Sequence, residues 1–102
     1  MWHVHEICYP LDYPTAAGHF PDNPIIPGAV LLDEAIHAIG GAAGVDDFTI
    51  RSAKFLDPVR PGETIELRWE RRADGQTAFE CRARNPERLV LTGLLDIGLA
   101  RS

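Results

Sequence analysis

An α+β domain, one apolar helix covered by an antiparallel sheet, is the fold class this sequence predicts. Three observations carry the prediction. Only the stretch from Ala29 to Ile39 is apolar almost all the way round, as a helix enclosed by protein must be. The segments on either side of it have the alternation or the β-branched and aromatic content of strands, and short turns separate the later ones. The chain has 102 residues, enough for one hydrophobic core and too few for two, so residues 1–102 are read as a single domain.

Residues 2–9 read as the first strand, closed by Pro10 and Pro14. His3 and His5 lie two apart and so share a strand face. With no third ligand at a sensible spacing they are read as solvent-facing histidines, and no metal is expected. The loop that follows is stiffened by Pro21, Pro24 and Pro27, which fix φ and remove N–H donors. Pro27 stands where a first helical turn accepts proline, and Gly40-Gly41 supplies the expected stop. Residues 48–57 read as a second strand, and Pro58 to Gly62 as a turn. From Glu63 to Arg72 the pattern alternates, with Ile65, Leu67 and Trp69 on one face and Glu66, Arg68 and Glu70 on the other. Asp74-Gly75 is a hairpin signal. It leads to a strand over residues 76–84 that places Thr77, Phe79, Cys81 and Ala83 on one face. Asn85-Pro86-Glu87 turns the chain into a last strand, residues 88–99. One sheet covers only one side of a helix that is apolar all round, and a second copy of the chain is the simplest cover for the other.

The formal net charge of −5 and the lack of a basic run argue against nucleic acid as a ligand. Nine of the ten basic residues are arginines, and all ten lie beyond residue 50, which leaves room for a locally basic patch. No run approaches the roughly 18–20 apolar residues of a membrane span. Met1 to Glu6 lacks the basic and apolar regions of a signal peptide. Cys8 and Cys81 are far apart and outside any Cys-x-x-Cys pattern. They are read as small buried hydrophobes in a reducing, cytoplasmic compartment.

Into the apolar helix the sequence sets Asp33 and Glu34, and shortly before it His19. A buried carboxyl that is neither paired nor neutral costs roughly several kcal/mol, and acid–base chemistry is the leading explanation for retaining one. A carboxyl held among Leu31, Leu32 and Ile36 is expected to be desolvated and kept protonated, so that it can act as an acid. His19, with an ordinary pKa of about 6.5, suits a base at neutral pH. The Gly28 N–H lies at the helix N-terminus, where partial positive charge favours a developing oxyanion.

The run His19-Phe20-Pro21-x-x-Pro24-x-x-Pro27-Gly28, with a carboxylate fourteen residues after the histidine, resembles the 3-hydroxyacyl-[acyl-carrier-protein] dehydratases of fatty-acid synthesis. Lys54-Phe55-x-x-Pro58-Val59-x-Pro61-Gly62-Glu63 resembles that family's segment after the helix, and the likeness spans residues 18 to 99. The resemblance implies a hotdog fold, a long helix wrapped by an antiparallel sheet. It also implies removal of water from a 3-hydroxyacyl thioester to give the trans-2-enoyl thioester, in fatty-acid, polyketide or aryl-polyene-type synthesis. His19 and Asp33 are then the catalytic pair and Gly28 the oxyanion donor, with Phe20, Pro27, Ala29 and His37 as substrate-supporting positions. In such enzymes the histidine of one protomer faces the carboxylate of the other, so a homodimer or dimer-based oligomer with the site at its interface is implied. No cofactor is implied. The substrate rides on the phosphopantetheine of an acyl carrier protein or on coenzyme A, and Lys54 or Arg60 is a candidate contact for a carrier's acidic surface.

Three positions depart from the usual pattern. Only seventeen residues precede Gly18, as in trimmed stand-alone relatives. Asp33 rather than Glu fills the acid position, as in the dehydratase–isomerase branch. Glu34 and His37 stand where alanine and glutamine are usual. Glu34, about 100° round the helix from Asp33, is assigned to solvent or an interface. His37, one turn below Asp33, either supports the carboxyl by a hydrogen bond or, if protonated, holds it ionised. Two other activities fit a chain of this type: a thioesterase using a carboxylate, and a non-catalytic hotdog subunit paired with an active sister chain.

Overall fold

The computed structural model describes residues 2–11, 25–44, 47–84 and 86–97. In order these form β1 (His3–Cys8), α1 (Gly28–Ala43), β2 (Phe48–Phe55), β3 (Thr64–Arg71), β4 (Gln76–Ala83) and β5 (Arg88–Ile97). The five strands make one antiparallel sheet in the order β1-β3-β4-β5-β2. The expected α+β layout is the observed one.

Where the alternation of the sequence is cleanest, register and burial follow it. Ile65, Leu67 and Trp69 of β3 and Thr77, Phe79, Cys81 and Ala83 of β4 all face the core, and Ile65 pairs with Ala83 and Trp69 with Phe79. The hairpin between them closes as expected: the Gln76 N–H donates to the Asp74 carboxylate at 3.0 Å, and Gly75 takes φ 87°. Leu91 and Leu95 of β5 complete the sheet's inner face. Leu31, Ala35 and Ile39 of α1, spaced by four, pack onto that face as one stripe. Burying Leu31 and Ile39 contributes roughly 1.5–3 kcal/mol each.

Four expectations are corrected. The helix does not stop at Gly40-Gly41 but runs to Ala43 and closes on Gly44 in a left-handed conformation, φ 72°, whose N–H donates to the Gly40 carbonyl. Gly40 is buried, so packing against the core carries the helix past a local breaker. β2 ends at Phe55, two residues early, and Asp57 lies in a bend. Cys8 is exposed rather than buried, because β1 alternates and turns Ile7 inward. Its Sγ lies 3.7 Å from the Thr64 hydroxyl. Cys81 does sit in the core, where burial pushes its thiol up to about 12. Lastly, α1 is not wrapped within one chain. Ala29, Asp33, Glu34 and His37 are exposed, and Val30, Leu32, Ile36 and Ala38 are only half-buried.

His3 and His5 are exposed, and the His3 ring stacks on Trp69 with centroids 5.4 Å apart. Among the described residues no three His, Cys, Asp or Glu side chains gather as a metal site would need. No described helix is long and apolar enough to cross a membrane.

Candidate active site

The entry to α1 is fixed from both sides. Pro27 caps it with φ −56° and ψ 138°, and its carbonyl accepts from Val30 N–H at 3.0 Å and Leu31 N–H at 3.3 Å. Just before it, the Ile26 N–H donates to the Val59 carbonyl at 2.7 Å, which ties the helix entrance to the turn after β2. In the first helical turn the N–H groups of Gly28 and Ala29 have no intrahelical acceptor, and among the described residues no side chain caps them.

Both residues line an apolar cleft of about 510 Å³. Ile25, Ile26, Gly28, Ala29 and Leu31 form one wall, and Phe55, Leu56, Asp57, Pro58, Val59 and Val90 the other. The half-exposed Phe55 ring lies against Gly28 so closely that a Cβ there would be 2.7 Å from its Cε1. Gly28 is thus the one residue that admits both the ring and a ligand beside the helix start.

Of the residues singled out in the sequence, His19 and Phe20 lie outside the described residues. Gly28 and Ala29 line the cleft, and Pro27 caps the helix just before them. Asp33 does not join them. At 100° per residue it falls about 160° from Ala35, on the side of α1 turned away from the sheet, and its side chain is 71 % exposed. The desolvation expected from Leu31, Leu32 and Ile36 is therefore not supplied by this chain alone, because those side chains point toward the sheet or along its flanks. His37 is equally outward. Its Nδ1–H donates to the Asp33 main-chain carbonyl at 2.8 Å, and the Asp33 carboxylate is 3.4 Å away. Because a carbonyl only accepts, Nδ1 carries the proton. Glu34, Lys54 and Arg60 are exposed.

An ion cluster that the sequence did not single out buttresses the cleft. Arg88, at the start of β5, grips both Glu63 oxygens at 2.8 Å and the Asp57 carboxylate at 2.5 Å. The Arg88 hydrogen bonds hold the Glu63 carboxyl below its usual range against the opposing effect of burial, and the Arg60 N–H adds to them at 2.7 Å. Glu63 in turn raises Arg88 further above its ordinary value. The only hint in the sequence was an arginine at the foot of a strand, which ordinarily reads as a solvated residue.

One chain thus offers an apolar slot with main-chain donors at its end, and presents a helix carboxylate on the opposite side. The same architecture recurs in solved structures. The dehydratase heterocomplex ApeI:P from Xenorhabdus doucetiae superposes with a TM-score of 0.75 at 21 % identity, over 94 % of this chain and 86 % of that one. The dehydratase domain of PpsC from Mycobacterium tuberculosis, solved with C12:1-CoA, gives 0.77 at 18 % identity over 99 % and 40 %. This is the hotdog fold. The family model for the ApeI-like proteins (ApeI dehydratase) matches residues 3–93, and the chain belongs to that family. Among curated relatives, the 3-hydroxyacyl-[acyl-carrier-protein] dehydratase FabZ of Rhizobium johnstonii is 31 % identical over 96 residues, 83 % of this chain and 61 % of that protein. FabZ of Latilactobacillus sakei is 41 % identical over 61 residues, 50 % of this chain and 43 % of that protein. The chain spans about half the length of the curated relatives it matches.

Proposed function

We propose that this protein dehydrates 3-hydroxyacyl thioesters to trans-2-enoyl thioesters, in fatty-acid or polyketide-type synthesis, with the acyl group presented by a carrier protein. Family membership supports the reaction class. One structural observation supports the mechanism: at 100° per residue Gly28 and Asp33 fall about 140° apart round α1, and the Asp33 side chain is 71 % exposed. A carboxylate turned away from its own cleft serves chemistry only across an interface, so the working site is built from two chains, the simplest being two copies of this one.

In that site the thioester carbonyl lies against Gly28 N–H, and the acyl chain occupies the apolar cleft. His19 takes a proton from the α-carbon, and the electron pair moves into the carbonyl, whose developing charge the Gly28 donor stabilises. Such a donor is worth roughly 2.7–4 kcal/mol in comparable sites. Asp33 of the second chain gives its proton to the β-hydroxyl, and the C–O bond breaks to release water. Dimerisation supplies what the single chain lacks, an apolar cover that desolvates Asp33 and favours its protonated form. The bond from His37 to the Asp33 carbonyl fixes the imidazole beside the carboxyl, in the place where a neutral hydrogen-bonding partner is needed.

The test is incubation with 3-hydroxyacyl carrier proteins, and the matching coenzyme A thioesters, of several chain lengths, followed by mass spectrometry for loss of water. His19→Ala and Asp33→Asn should each lower the rate by about 10²-fold or more. Unchanged rates in both overturn the assignment. Release of free thiol without an enoyl product identifies a thioesterase instead. A homodimer that is inert until mixed with a second hotdog chain identifies a subunit of a hetero-pair.

A further inference from the structure

Arg88 has five N–H donors, and all five are used. Nε donates to Asp57 at 2.5 Å. Nη1 donates to Glu63 at 2.8 Å and to the Pro86 carbonyl at 3.1 Å. Nη2 donates to the other Glu63 oxygen at 2.8 Å and to the Pro58 carbonyl at 2.8 Å. The guanidinium is only 16 % exposed, as is the Glu63 carboxylate. A surface ion pair between mobile side chains contributes little, but a part-buried bidentate fork with every donor placed fixes geometry.

What it fixes is the turn from Asp57 to Glu63, a segment with two prolines and no regular structure of its own. That turn forms one lip of the cleft, and its Val59 carbonyl holds the Ile26 N–H at 2.7 Å. Between Ile26 and Gly28 stands only Pro27, whose ring locks φ. The mechanical path is therefore short and stiff: guanidinium, Pro58 carbonyl and Glu63, Val59, Ile26, Pro27, Gly28. We propose that Arg88 is a positioning residue, which through this path sets the Gly28 N–H against the thioester carbonyl although it touches no substrate itself. The proposal rests on the dehydratase reading above. A misplacement of the donor by an ångström or so weakens an oxyanion contact far more than it weakens binding of the acyl chain, because the donor acts chiefly when charge develops.

Arg88→Lys retains charge but supplies three donors on one atom and cannot reproduce the fork; Arg88→Gln removes charge as well. Arg84→Gln, which loses only the surface pairs to Glu6 at 3.2 Å and Glu66 at 3.4 Å, is the control. Two readouts are taken on the whole protein: residue-resolved amide hydrogen exchange, and kcat and KM for a 3-hydroxyacyl thioester. The expected result for both Arg88 variants is that exchange at Ile26 rises about tenfold or more while Leu67 and Phe79 in the β3–β4 hairpin stay protected. With it kcat should fall about tenfold while KM stays within about twofold; the control should change neither. If Ile26 and the hairpin loosen together, Arg88 is a staple of the whole fold and the proposal is overturned. It is overturned equally if Ile26 is freed and kcat holds. Should Arg88→Gln fail to fold, Arg88→Lys decides on the same two readouts. A wild-type protein that turns over no 3-hydroxyacyl thioester overturns the dehydratase reading and the catalytic half of this one, and exchange at Ile26 separately upholds or overturns the mechanical half.

Discussion

At Gly28 two demands meet on one Cα: the Phe55 ring rests on it, and in the proposed mechanism the thioester carbonyl approaches the N–H beside it. A methyl group there would lie 2.7 Å from Phe55 Cε1, so the ring must swing or the helix start must shift. Overpacking of this kind costs about 1–3 kcal/mol. Gly28→Ala should therefore lower the thermal midpoint and the dehydration rate together. Phe55→Leu in the same chain should restore much of both, because it removes the other half of the clash. The cycle of single and double variants measures the coupling. Purely additive losses would show that ring and glycine do not act on each other. Phe55 belongs to a run of residues that resembles a known family, yet nothing in its type or spacing says that it closes on the helix. That contact exists only once β2 has been brought beside α1.

Among the elements, β5 and α1 answer differently to the same substitution. Gly93 lies in the middle of β5, where a Cβ would meet the Phe79 ring and the Ser52 carbonyl at 2.6 Å. The backbone oxygen cannot swing aside, so Gly93→Ala pushes β2 off the sheet. A cost of about 1–3 kcal/mol is expected, which for a domain of this size is about 4–8 °C of melting temperature per kcal/mol. Gly41, on the open side of α1, has nothing within 4 Å of its missing Cβ. Gly41→Ala should instead stabilise the protein by about 0.5–1 kcal/mol. Thermal melts of the two variants check both signs at once. The turn before β3 adds a pH dependence. The folded pKa of Glu63 lies below the usual 4.5, so its stabilising contribution is complete above the unfolded value and is lost as pH falls through the folded one. Melting temperature should fall as pH is lowered from about 5 to 3, and Glu63→Gln should flatten part of that slope. An unaltered slope would show that Arg88 gives the carboxylate no advantage in the folded state.

These elements also mark what a reader of the sequence can see. β3 and β4 were legible because a period of two, with one face buried, leaves a single consistent assignment of faces. The helix α1 was visible as one long apolar run. Its end was not, because Gly40-Gly41 breaks a helix only when no tertiary contact favours continuing, and Gly40 is buried against the core. Nor was the exposure of Asp33. An all-apolar helix does not announce which side its own sheet will cover, and the carboxylate went to the uncovered side. Arg88 was invisible for a related reason. Its five hydrogen bonds go to four residues, Pro86 close by and Asp57, Pro58 and Glu63 in a turn far back along the chain, which meet it only in the folded protein.

For the whole molecule, the exposed outer side of α1 calls for a cover, and the sheet suggests the route. β2 is an edge strand, paired on one side with β5. It is mostly exposed, and Ile50 at 46 %, Phe55 at 51 % and the adjoining Leu56 at 45 % leave apolar side chains in water. The opposite edge, β1, exposes His3, His5 and Glu6 around Val4 and is the more polar of the two. A second β2 laid antiparallel against the first would satisfy the free N–H and C=O groups of both. It would join the two sheets around a two-fold axis with both helices on the same side, each placed to cover the other's outward face. A stable pair of this kind buries about 1,200–2,000 Å² in total. Sedimentation should then give twice the 11.3 kDa of one chain. Ile50→Lys should shift the protein to monomer, and Val4→Lys on the other edge should leave the dimer intact. If Gly28 and Asp33 act together across the interface, as the proposed mechanism has it, the monomeric Ile50→Lys protein should lose dehydration while retaining its fold by circular dichroism. A folded monomer that still releases water from the thioester would mean that Asp33 is not the acid, since within one chain it faces away from the cleft.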